Sequence, residues 1–241
     1  MKTENFLRRR RGRQLDEVER LAIEAALSEP RRLAARQTHV HRGVTVREST
    51  LLLDGLMGRY MIDREGNRQL VALHLPGDFV DLHAFPLQHL DHDVVTLTEV
   101  SIATVEHSVL TSLTDALPHL TRMLWFSTLL DAAMHREWIF RLGRLDAAGR
   151  LAHFLCETAL RLNAIDRSDG LRFELPLTQR DIAEACGLTN VHVSRVMRTL
   201  RTAGLFEVDG PRVTVLDRPA AWRVAQFNPQ YLYLDDGDAT P

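Results

Sequence analysis

The sequence predicts an α+β fold in three parts: an N-terminal β-roll, one long helix, and a C-terminal winged helix-turn-helix. Three observations carry this. From Leu33 to about Val105 the apolar residues come in short runs with the two-residue period of strands, broken by Asp54-Gly55, Gly58, Gly66 and Pro76-Gly77-Asp78. From Pro118 to Leu145 the period lengthens to roughly 3.6. Beyond Leu177 two short helical patterns meet at Cys186-Gly187-Leu188, and Asp209-Gly210 then marks a hairpin. The expected division is 1–32 for a basic arm and helix, 33–117 for the roll, 118–145 for the long helix, and 146–241 for the helix-turn-helix domain with its tail. With 241 residues, 45% of them hydrophobic and 26% charged, the chain is long enough for two cores.

Taken in order, Arg8 to Arg11 with Arg13 reads as a flexible basic arm, followed by an amphipathic helix from about Leu15 to Leu27. The arm is no signal peptide, because Gln14, Asp16, Glu17, Glu19 and Arg20 follow where an apolar region is needed. Val44 to Val46 leads into Leu51 to Leu53. Arg59 to Ile62 and Arg68 to Leu75 form a hairpin around Asp63 to Asn67, and Asp93 to Leu97 and Val100 to Val105 give two more strands. Strands this short at regular spacing suit a barrel or rolled sandwich.

The long helix starts at Pro118, where the missing N–H is harmless. Its apolar face, Leu120, Met123, Leu124, Phe126, Leu130, Ala133, Met134 and Phe140, exceeds what one sheet covers. A second copy of the chain is the expected partner, through Met123, Phe126, Leu130 and Met134; the alternative is a helix buried within a monomer. Ser127, Thr128 and Asp131 interrupt the least polar stretch, which falls short of the ~20 residues that span a membrane. The expectation is a cytoplasmic protein. After a break at Leu145-Asp146 come a helix over Ala148 to Leu162 and a polar turn over 166–170.

Thr178, with Asp181 three residues on, reads as a capping box, and Thr189 as the cap of the following helix; both are expected in the DNA-binding set, with Asn190, Val191, His192, Ser194, Arg195 and Arg198. That second helix turns Val193, Val196, Met197 and Leu200 inward. Asn190, Val191, Ser194, Arg195 and Arg198 share the other face, and Thr189 to Arg201 holds three arginines and no acid. A basic face alone is often only solvated surface. Behind a glycine-turn helix pair, and ahead of a wing over Leu205 to Val208 and Arg212 to Val215, it is the footprint of a helix that enters the major groove of double-stranded DNA. The tail residues Trp222, Val224, Phe227, Tyr231 and Leu232 are expected to fold back on the wing, and Asp235 to Pro241 reads as loose.

The net charge of −2, from 30 basic and 32 acidic residues, selects no partner by itself. Only Lys2 among the bases is a lysine. The two cysteines, Cys156 and Cys186, lie in apolar patterns and exclude a disulfide framework or a four-cysteine metal site in one chain.

Leu177-Thr178-Gln179-Arg180-Asp181-Ile182-Ala183, Gly187-Leu188-Thr189 and Val193-Ser194-Arg195-Val196 resemble the DNA-binding domain of the cyclic AMP receptor protein and Fnr superfamily of bacterial transcription regulators. Gly43, the Gly55 to Leu75 hairpin and Pro76-Gly77-Asp78-Phe79 resemble its cyclic-nucleotide-binding-type jelly roll, and Pro118 to Leu145 its dimerisation helix. The resemblance spans about 33 to 216. It implies a homodimeric regulator, with RNA polymerase as a further partner if the protein activates; Arg195 would read a guanine and Thr189 would contact phosphate. Where the family commonly places a glutamate early in the recognition helix, this chain has Asn190, Val191 and His192. By geometry Asn190 suits adenine, Val191 a thymine methyl, and His192 a phosphate or base.

The effector is not legible. Relatives that bind cyclic AMP hold its phosphate with an arginine soon after the Gly-Asp-Phe turn, whereas His89 to Leu97 contains none, which argues against cyclic AMP. Too few cysteines are present for the iron-sulfur branch. His83, His89 and His92, among Asp81, Asp91 and Asp93, are the alternative: a metal site, or a haem sensor, since His83 lies near the haem-ligating position of the carbon-monoxide-sensing relatives. No Ser-His-Asp spacing, phosphate-binding glycine loop or HExxH supports an enzyme.

Overall fold

A computed structural model describes residues 1–235; the reading of a loose tail over 236–241 lies outside them. Along the chain run α1 (Glu17–Ala26), β1 (Arg31–Leu33), β2 (Thr38–Val40), β3 (Glu48–Asp54), β4 (Met57–Ile62), β5 (Arg68–His74), α2 (Ala84–Leu87), β6 (Asp93–Thr96), β7 (Val100–Glu106), α3 (His107–Ala116) and α4 (Pro118–Arg144). They are followed by α5 (Ala147–Ala164), β8 (Arg172–Glu174), α6 (Gln179–Cys186), α7 (Asn190–Thr202), β9 (Phe206–Asp209), β10 (Arg212–Val215) and α8 (Arg218–Ala225). The chain forms two compact units, Met1–Ala132 and Ala133 onward, which divide within α4; the break at Leu145-Asp146 lies inside the second.

In the first unit a three-stranded sheet, ordered β1-β7-β3, faces a four-stranded one, ordered β2-β6-β4-β5. Leu52 and Ile102 of the first sheet meet Met57 and Val94 of the second in one core with Val80, Ala84 and Leu90. The neighbouring residues Leu51, Ala103 and Val105 face the other way and pack against α1, α3 and the start of α4. Both faces of this sheet are therefore covered, which is why Leu51-Leu52-Leu53 is an unbroken apolar run and not an alternation. At the Pro76-Gly77-Asp78 turn, Gly77 has φ +99°, and a Cβ there would collide with the backbone of Asn5.

That contact corrects the reading of the N-terminus as a flexible arm. Phe6 and Leu7 are buried in the core beneath α1, and Phe6 meets Phe79 edge to face at 5.5 Å. Lys2 Nζ donates to the carbonyl of Leu27 at 2.7 Å, just past the end of α1, and Thr3 donates to Glu24. The guanidinium of Arg13 lies 4.8 Å over the Phe126 ring. Two apolar residues anchor a segment whose arginine content suggested solvent.

In the second unit α5 is the axis. Leu151, Phe154, Leu155, Leu160 and Leu162 are buried, and so are His153, Glu157 and Arg161 on the face that would otherwise be wet. The C-terminal segment covers that face: Phe227 packs on the His153 ring at 5.0 Å, and the Tyr231 hydroxyl donates to Glu157 at 2.7 Å. The tail thus docks on α5, a correction of the expected docking on the wing. The wing itself is a three-stranded sheet, β8-β10-β9, with β8 unanticipated.

Candidate nucleic-acid interface

The capping box at Thr178 forms in full: its hydroxyl oxygen accepts from the Asp181 N–H, and its own N–H and O–H donate to the Asp181 carboxylate. Gly187 takes the left-handed conformation at φ +61° and ends α6, the Leu188 N–H returning to the Ala183 carbonyl at 2.9 Å. Thr189 then caps α7 by accepting from the His192 N–H at 3.3 Å. Because only the oxygen is used there, the Thr189 hydroxyl can still donate outward, whereas that of Thr178 is committed to Asp181.

Val193, Val196 and Leu200 fix α7 on its inner side. Asn190, Val191, Arg195 and Arg198 are exposed, Val191 at 81%, a value no core role explains for a β-branched residue. Ser194 and His192 are half-buried. The Ser194 hydroxyl faces Gln179 Oε1 at 2.9 Å, so Gln179, at the start of α6, belongs to the same surface, although sequence reasoning passed it over as the residue after a cap. The three arginines of α7 separate: Arg195 and Arg198 point outward, while Arg201 donates to the Val208 carbonyl and ties the helix to the wing.

The first unit holds a second polar constellation, inside the roll. Arg59, on β4, is buried; its Nε donates to the Val80 carbonyl at 2.9 Å and its Nη1 pairs with Asp131 of α4. Burial, and then the Arg59 charge, push His74 down to about 4 and His83 to about 3, and lower His92. Burial raises Asp81 to about 7, although the Thr50 N–H bonds it at 2.6 Å. His83 and His92 lie ring against ring at 5.2 Å, His92 bonds Asp91, and His89 is exposed. The three histidines do not converge, and no group of three or more metal-ligating side chains forms among the described residues. Arg59, the buried cation of this cluster, is already engaged with a carboxylate and a carbonyl.

On α4 the expected interface residues Met123 and Leu130 are only 2% and 6% exposed, buried by their own chain, while Phe126 and Met134 are half-buried. The exposed large apolar residues of α4 are Trp125, at 64%, Leu129, at 52%, Ile139 and Phe140. The apolar residues left uncovered on this helix therefore lie on a different face from the one the sequence pattern selected. Cys156 and Cys186 are buried, their thiols raised by burial to about 12 and 11.

A rolled double sheet, a long helix and a winged helix-turn-helix with an acid-free outer face define a DNA-binding transcription regulator, and the chain belongs to the Crp/Fnr superfamily. Residues 149–220 match the Crp-like helix-turn-helix domain. The transcriptional activator protein FnrL of Cereibacter sphaeroides is 30% identical over 82% of this chain and 80% of its own length. The nitrogen fixation regulation protein FixK of Azorhizobium caulinodans is 29% identical over 89% of this chain and 86% of its own. The solved structure of FixK2 from Bradyrhizobium japonicum shares the fold, with a TM-score of 0.74 at 23% identity over 81% of this chain and 96% of that one. No helix among the described residues is long and apolar enough to cross a membrane.

Proposed function

We propose that this regulator acts as a homodimer, reading a two-fold symmetric DNA site with one copy of α7 in the major groove of each half. The exposed, acid-free face of Asn190, Val191, Arg195 and Arg198 carries the reading. Arg195 lies within the first half of the helix, where a bidentate bond to guanine O6 and N7 is reachable. Asn190 suits adenine, Val191 a thymine methyl, and Thr189, His192 and Arg198 the flanking phosphates. Ser194 and Gln179 buttress one another on that face, and Thr178 acts through the cap it makes.

Trp125 and Leu129 supply the dimer seam. With Ala132, Arg136 and Ile139 they follow the alternating four- and three-residue spacing of a two-helix coiled coil. Leu129→Glu is expected to halve the sedimentation mass of a dimeric parent, because a desolvated charge would be left unpaired in the seam; an unchanged mass would place the interface elsewhere. We take the effector to be other than cyclic AMP, because His89 to Leu97 contains no arginine to hold its phosphate. RNA polymerase is a further partner if the protein activates. The three-histidine metal reading is the weaker alternative, since His83, His89 and His92 form no group of three metal-ligating side chains among the described residues; the haem reading rests on His83 alone. Selection from random duplexes tests the proposal: a two-fold symmetric consensus is expected, and random recovery would overturn it.

A further inference from the structure

Arg141 is the largest fully buried side chain among the described residues, and nothing about DNA binding requires a cation there. Its guanidinium lies 4.1 Å over the Trp138 ring and 5.5 Å from Phe154, with Nε and Nη1 making no hydrogen bond among the described residues. Such a group is costly to bury. A carboxylate does stand near, since the Arg141 charge lowers Glu157, but Glu157 is held by the Trp138 indole N–H at 3.1 Å, the Tyr231 hydroxyl and Arg161. Among the described residues, the one hydrogen bond Arg141 makes is from Nη2 to the carbonyl of Ala185, at 2.8 Å.

That carbonyl sits in the last turn of α6, two residues before Gly187, where the chain swings into α7. Leu142, the next residue along, reaches the same turn: a Cβ on Gly187 would lie 3.3 Å from its Cδ2. The sulfur of Cys186 faces the Arg150 carbonyl of α5 at 3.9 Å. The turn between the two helices is therefore held from three directions, and only the Arg141 contact is charge-assisted. Trp138 and Phe154 clamp the guanidinium plane so that its donor has one direction available.

We infer that Arg141 is a positioning residue for DNA reading: from α4, it fixes the angle at which α6 delivers the recognition helix α7, without touching DNA. This rests on the reading of α7 as the base-reading helix. A side chain that served only the core would be replaceable by an apolar one of similar reach, often with no loss of stability. A positioning role predicts instead that the fold survives and the discrimination does not.

The test uses the full-length protein, the duplex recovered by selection and its single-base variants, with affinities corrected for active fraction. R141M is expected to melt within a few degrees of the parent, about the scale of a 1 kcal/mol change. It should lose at least tenfold in the ratio of specific to nonspecific affinity, with preference falling at every position of the half-site and not at one. R141K keeps a donor without the stacked plane and is expected to fall between the two. Parental discrimination in either folded variant would overturn the inference in favour of a role in the core alone, and failure of both to fold would overturn it by making Arg141 a requirement of the fold itself. A parent protein without sequence preference would sink the reading of α7 itself, an outcome the parent control separates from these.

Discussion

Arg59 and Arg195 carry the same guanidinium into opposite surroundings. Arg59 lies inside the roll, paired with Asp131 and ringed by His74, His83, His92 and Asp81, each with an ionisation shifted by its burial or its charge. Arg195 stands in water on α7, among neighbours that include no acid. A surface cation awaiting phosphate or guanine keeps its affinity only if nothing on its own chain neutralises it. A buried one survives only if something does. The roll and the recognition helix thus place similar side chains under opposite rules, and substitutions should separate them: the first set by stability, the second by DNA.

The largest effect is expected from Asp131→Ala. It leaves Arg59 buried with the Val80 carbonyl as its remaining partner, and should cost about 3 to 5 kcal/mol of stability in the first unit, read from urea unfolding. A change below about 0.5 kcal/mol, the level of ordinary surface substitutions, would show that water reaches the pair and dissolve the contrast with α7.

The second effect is a pH dependence confined to the roll. His74 and His83 are lowered on folding, so their contribution is full above about pH 6.5 and is lost as pH falls toward about 4 and 3. Asp81 is raised to about 7, so its contribution is full below the ordinary carboxylate value of 3.8 and is lost as pH rises to about 7. Between pH 4 and 7 the two oppose each other. Asp81→Asn removes the compensating half and should steepen the acid-side loss of stability by up to about 1.4 kcal/mol per pH unit, the value of one proton. Parallel stability curves for parent and variant would mean that Asp81 titrates normally.

These two sites differ as much in legibility as in chemistry. The recognition helix could be read because a 3.6-residue period assigns each position to a face, and a run of three arginines without an acid stands out within thirteen residues. The Arg59–Asp131 pair could not, since its members are 72 residues apart and each looks locally like a polar interruption of an apolar run. The same limit applies to the proposed dimer seam. Met123 and Trp125 both belong to apolar stripes of one helix, and periodicity does not say which stripe the chain covers with its own core. At the N-terminus, Phe6 and Leu7 were masked by the arginines that follow them. The helix over His107–Ala116 escaped notice because its serines and threonines leave little contrast between faces. Arg141 gave no signal: a charge on a long helix is ordinary until its burial is seen.

On the exposed side of the comparison, Arg195→Ala should leave urea unfolding within about 0.5 kcal/mol of the parent. It should cost about 1 to 3 kcal/mol of DNA binding per half-site and relax preference at a single base pair. Titration of the selected duplex against its single-base variants reads both quantities. Equal loss on every sequence would move Arg195 from the base edges to the backbone.

The smallest effect sharpens the comparison most, because it divides the arginines of one helix. Arg198 is one turn beyond Arg195, toward the end of α7 where a groove-bound helix rises away from the base edges, and Arg201 is already held by the Val208 carbonyl. Arg198 is therefore expected to meet phosphate. A phosphate contact contributes by releasing a condensed counterion, so its loss lowers the slope of log affinity against log salt by about one and leaves base preference unchanged. Arg198→Ala should show that reduced slope with parental discrimination, in binding measured at several salt concentrations. Arg201→Ala should alter the slope less, because its cation is already directed at the wing. If Arg198→Ala instead changes base preference while Arg195→Ala changes only the slope, α7 lies in the groove with its other end foremost, and the contrast drawn between a neutralised and a waiting arginine would have to be redrawn around Arg198.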